Sequence, residues 1–132
     1  PPRVAALFSQ TGIRYQQVAR VAVTVGPGAF TGVRVGLAFA KGLRAATGAV
    51  VMGFTTLECL AAQAAQACPG ATIAVAIDAK HLVRDAVAGQ AHIETISRID
   101  TRLLAQRAAF AVPELYPAEP TYLRAPDARL PS

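Results

Sequence analysis

Val21-Ala22-Val23-Thr24-Val25 is an apolar, β-branched run that ends abruptly at Gly26-Pro27-Gly28. A helical pattern follows from about Thr31 to Thr47 and stops at Gly48. A second apolar run, Ala49 to Phe54, comes directly after it. Runs of this kind suit strands buried on both faces. Two such strands joined through a helix pair in parallel, with the helix lying on the sheet. Thr55-Thr56-Leu57-Glu58 then reads as a capping box, with Thr55 as N-cap and Glu58 three residues on. It opens an Ala-rich helix to about Ala67. Pro69-Gly70 turns the chain, and Ala71 to Ile77 reads as a third buried strand. The sum, β-α-β-α-β with short connections, predicts an α/β fold: a mainly parallel sheet with packed helices.

The flanks are less regular. Val4, Leu7 and Phe8 lie at helical spacing in Arg3 to Gln10, and Thr11-Gly12 closes that segment as a C-terminal cap would. Leu82 to Gln90 is ambiguous. Asp100 to Ala111 reads as a short helix with Asp100 as N-cap, and the tail from Val112 is rich in Pro.

Composition narrows the function. The chain has 132 residues, 53% of them hydrophobic, enough for one domain with a core. A net charge of +5, from 13 Lys and Arg against 8 Asp and Glu, suits either a solvated basic surface or a polyanion partner. No basic run and no interleaved aromatics form a stacking platform for nucleic acid. Cys59 and Cys68, if on one helix, stand roughly 13 Å apart along its axis, too far for a disulfide. They also lack CxxC spacing. Free thiols suit the cytoplasm. The most apolar stretch, Val33 to Phe54, is interrupted by Arg34, Lys41 and Arg44 and makes a poor membrane span.

Gly26-Pro27-Gly28 places backbone N–H groups at a helix N-terminus, where anions bind well. The Walker pattern is absent, because no Lys-Ser/Thr pair follows the last Gly. The dinucleotide GxGxxG pattern is missed as well, because the third Gly comes one residue late, at Gly32. The corner therefore reads as structural, with Gly28 taking a positive φ and Pro27 stiffening the turn. Gly32, Gly36 and Ala40 share one helix face and allow close approach to the sheet. On a helical wheel Arg34, Lys41 and Arg44 fall in one narrow sector, with Leu37 among them. The remaining arc is apolar or small and far wider than the ~100° stripe of a helix with one buried face. The excess predicts a second contact, with another helix or a partner chain.

Gly26-Pro27-Gly28-Ala29-Phe30-Thr31-Gly32-Val33-Arg34-Val35-Gly36-Leu37 closely resembles the GPGSFTGxRxG motif of the bacterial TsaB (YeaZ-type) family. Ala40-Lys41-Gly42-Leu43, Gly53-Phe54-Thr55-Thr56-Leu57-Glu58, Val75-Ala76-Ile77-Asp78-Ala79 and Tyr122-Leu123-Arg124-Ala125-Pro126-Asp127-Ala128 continue the likeness in the family's order. Ala29 departs from the usual Ser. The resemblance implies a sugar kinase/Hsp70/actin-like, ribonuclease H-like domain. It divides the chain into an actin-like subdomain over 1–78 and a remnant of a second subdomain plus tail over 79–132. Strands expected before residue 1, and a β-hairpin expected after Asp78, have no counterpart, which implies an incomplete chain.

The same resemblance implies a non-catalytic scaffold for threonylcarbamoyl transfer to adenosine of tRNA. Its partners would be a TsaD-like catalytic subunit and a TsaE-like ATPase, with tRNA met only indirectly and a homodimer when the chain is alone. The motif residues are Gly26, Pro27, Gly28, Phe30, Thr31, Gly32 and Arg34. The implied pairing surface maps onto Arg3–Gln10 and Thr31–Thr47, with Val4, Leu7, Phe8, Val35, Ala38, Phe39 and Gly42 as contact residues. No cofactor, metal ligand or catalytic residue is expected. Two other readings stay open. A glycoprotease (M22-type) metalloenzyme needs metal ligands, yet His81 and His92 are eleven apart and form no HExxH or HxxxH pair. An actin-like ATPase would draw its phosphate-contacting acid from the strands that have no counterpart here.

Overall fold

A computed structural model of the chain describes residues 2–78, 82–88, 93–94 and 98–121. Helix α1 (Pro2–Thr11) ends at Gly12, whose N–H donates to Phe8 O at 3.0 Å. A single 3₁₀ turn (Tyr15–Gln17) leads into strand β1 (Arg20–Gly26). Helix α2 (Phe30–Thr47) follows, then strand β2 (Val50–Thr55) and helix α3 (Thr56–Ala67). Strands β3 (Thr72–Asp78), β4 (Leu82–Ala88) and β5 (Ile93–Glu94) come next, then helix α4 (Thr101–Phe110) and a second 3₁₀ turn (Pro113–Leu115).

The local signals explain most of these limits. Gly48 ends α2 in the left-handed conformation, φ 76°, and its N–H donates to Arg44 O at 2.8 Å. Both halves of the Thr55–Glu58 box form: the Glu58 N–H donates to Thr55 Oγ1 at 3.1 Å, and the Thr55 N–H donates to Glu58 Oε2 at 2.9 Å. Asp100 caps α4 by accepting from the Arg102 and Leu103 N–H groups at 2.9 and 3.5 Å.

Strands β1 and β2 pair in parallel from Arg20↔Val50 to Thr24↔Phe54, with an irregularity between Thr24 and Gly26. The expected third parallel strand goes elsewhere. β3 pairs antiparallel with β4 along its whole length, Thr72↔Ala88 to Asp78↔Leu82, and β4 with β5, in a separate sheet. The stretch Leu82–Ala88, ambiguous in the sequence, is therefore strand.

The core lies between the β1–β2 sheet and helices α3 and α4. Met52, Phe54, Cys59, Leu104 and Ala108 form one cluster, with Ala22, Ile99, Ala111 and Tyr116 against it. Burial of each large side chain, such as Phe54 or the equally enclosed Leu60, contributes about 1.5–3 kcal/mol. Arg20 ties α4 to the sheet. Its Nη1 donates to Ala108 O at 2.9 Å and Ala111 O at 2.8 Å, meeting carbonyls that the helix end leaves unpaired. After α4 the segment 112–121 runs as a strap across the ends of β1 and β2. The Gly53 N–H donates to Tyr116 O at 3.0 Å, the Thr121 N–H donates to Val25 O at 2.7 Å, and the Tyr116 ring stacks on Phe54 at 4.4 Å.

Cys59 and Cys68 are free thiols, the first buried and the second half-buried. No described helix is long and apolar enough to cross a membrane.

Candidate functional site

Two regions carry the sequence signals: the Gly26-Pro27-Gly28 corner and helix α2. At the corner Gly26 and Pro27 are buried and Gly28 is exposed. The positive φ belongs to Gly26, at 97°, and not to Gly28 as the sequence suggested. Space is short there as well. A Cβ on Gly26 would stand 2.9 Å from Thr121 O, so a side chain there is barred by conformation and by space. The strap thus covers the crevice beyond the carboxyl ends of the parallel strands, where open α/β sheets bind ligands. A cavity of about 270 Å³ remains beside it, lined by Val25, Thr55, Glu58, Tyr116, Glu119 and Thr121 among others. The Glu58 carboxylate in that cavity already accepts from the Thr55 N–H and, at 2.7 Å, from the Thr55 hydroxyl. Among the described residues no group of three or more His, Cys, Asp or Glu could hold a metal ion. His81 and His92 lie outside the described residues.

Beyond the corner, Phe30, Thr31 and Gly32 are exposed in the first turn of α2, and the Arg34 guanidinium sits 3.9 Å from the Phe30 ring centre. Helix α2 packs on β1 through Gly36, Leu37 and Ala40. A Cβ on Gly36 would lie 3.6 Å from Val23 Cγ2, while Leu37 and Ala40 are buried. Leu37, placed among the charged residues by the wheel, turns to the sheet, whereas Arg34, Lys41 and Arg44 are exposed.

The outer face of α2 is the distinctive feature. Val35 is 59% exposed, and Ala38, Gly42, Ala45 and Ala46 are exposed beside it. Gly42 lies inside the helix, and among the described residues nothing beyond its own helix backbone comes within 4 Å of where a Cβ would stand. Phe39 is half-buried, so it packs partly within its own chain. On α1, Leu7 is 57% exposed, Val4 is half-buried, and Phe8 stacks on Tyr15 at 4.0 Å. The 3₁₀ turn that holds Tyr15 lies against α2.

Residues 1–91 match the family model of TsaD, tRNA N6-adenosine threonylcarbamoyltransferase. The chain belongs to this family. Two solved structures from Pseudomonas aeruginosa have the same fold. One is an uncharacterized protein with similarity to peptidase YeaZ, at 30% identity and TM-score 0.53 over 74% of this chain and 46% of that one. The other is YeaZ itself, at 29% identity and TM-score 0.53 over 75% and 48%. This chain thus spans about half the length of those structures. No curated protein matches it. Membership in the TsaB/TsaD-related family, with its actin-like, ribonuclease H-like fold, agrees with the motif resemblance.

Sequence reasoning missed three contributors. They are Arg20, Gly53 and the Pro-rich tail, none of which carried a site reading. Only Gly53, a glycine inside an apolar run, gave a signal of close backbone approach.

Proposed function

We propose that the chain is a non-catalytic scaffold that pairs with a TsaD-like catalytic subunit, aided by a TsaE-like ATPase, in threonylcarbamoyl transfer to adenosine of tRNA. The docking surface is the outer face of α2, with α1 as its second element. The observation that carries this reading is the exposed apolar strip of Val35, Ala38 and Gly42. A glycine inside a helix costs about 0.5–1 kcal/mol relative to alanine, and among the described residues no neighbour outside its own helix backbone occupies the space it leaves. A second helix approaching closely would use that space. Contact with tRNA is then indirect, the setting is the cytoplasm, where Cys59 and Cys68 stay reduced, and a second copy would use the same face when the partner is absent.

The test is co-purification of wild type and Val35→Asp with a TsaD-like subunit. A carboxylate buried in an apolar contact should weaken pairing by about 2 kcal/mol or more. Val35 is exposed in the isolated chain, so thermal unfolding should be unchanged. Undiminished pairing of the folded variant would remove the α2 face from the interface. Val35 is a cleaner probe than Phe39, whose half-burial mixes folding with docking.

A second reading has one observation behind it: the matching family model describes a transferase. It predicts threonylcarbamoyl transfer by the chain alone, with metal bound in stoichiometric amount. The scaffold reading predicts neither without the catalytic subunit.

A further inference from the structure

We draw no further inference here: the strongest candidate, the cavity of about 270 Å³ beside the strap at the carboxyl ends of β1 and β2, rests on the carboxylates of Glu58 and Glu119, and among the described residues no second feature of that cavity points to a ligand.

Discussion

Gly53→Ala is the sharpest perturbation of the strap. Gly53 has no positive φ, so alanine is not barred by its backbone conformation. Space bars it. A Cβ there would collide with Val25 Cγ1, stand 2.5 Å from Pro117 O and 3.1 Å from Ala118 Cα. Val25 is 3% exposed and has nowhere to go, so the strap must lift. Lifting it weakens two hydrogen bonds, Gly53 to Tyr116 and Thr121 to Val25, and the Tyr116–Phe54 stack. Each hydrogen bond contributes about 0.5–1.5 kcal/mol, and the stack a further ~0.5–1.5 kcal/mol. Alanine returns about 0.4–1 kcal/mol by restricting the unfolded chain. The net expectation is a loss of about 2 kcal/mol, a typical cost of overpacking. Urea denaturation should show a lower midpoint with an unchanged slope, and hydrogen exchange should show faster exchange of the Thr121 amide. A variant as stable as wild type, with that amide still protected, would refute the claim that the strap is seated against the sheet here.

Three further outcomes follow from local geometry. Gly42→Ala should raise stability by about 0.5–1 kcal/mol, read in the same urea titration, because its added Cβ meets open space. Thr55→Ala removes an N-cap that accepts from the Glu58 N–H and should cost about 1 kcal/mol by thermal melting. Burial, reinforced by the Glu58 charge and opposed by Arg107, pushes the Cys59 thiol from 9.0 up to about 11. The unfolded thiol therefore ionises first as pH rises. Its contribution to stability is intact below pH ~9 and fades as pH climbs toward ~11, and Cys59→Ala should flatten that part of a stability–pH profile.

What the sequence disclosed depended on range. The capping box at Thr55 and Glu58, the αL stop at Gly48 and the Asp100 cap are interactions within four residues, so their signals are local and the structure forms them. The partner of β3 is a non-local choice. An apolar run shows that a strand will be buried but not against which neighbour, and the pairing of β3 with β4 lay outside what its residues could specify. The α2 wheel set Leu37 at an angle among the charged residues, and the structure buries it. The wheel fixed angles but not which angle would face β1. The strap was illegible because much of its hold is backbone to backbone, through Tyr116 O and the Thr121 N–H, and its one stacked ring, Tyr116 on Phe54, makes no periodic pattern.

The glycines of this chain separate fold from docking. Gly26 and Gly53 are explained inside the molecule: Thr121 O stands over the first, and Pro117 O and Val25 over the second. Nothing among the described residues explains Gly42. If α2 served only the sheet, alanine at 42 would improve stability and change nothing else. If the outer face receives another helix, the same substitution stabilises the free chain yet holds the partner away, since each added methyl widens a close helix contact and leaves facing atoms without neighbours. Measuring Gly42→Ala for both properties separates the cases: a gain in stability with weaker pairing places the missing Cβ at the interface, and a gain in stability with unchanged pairing makes Gly42 incidental.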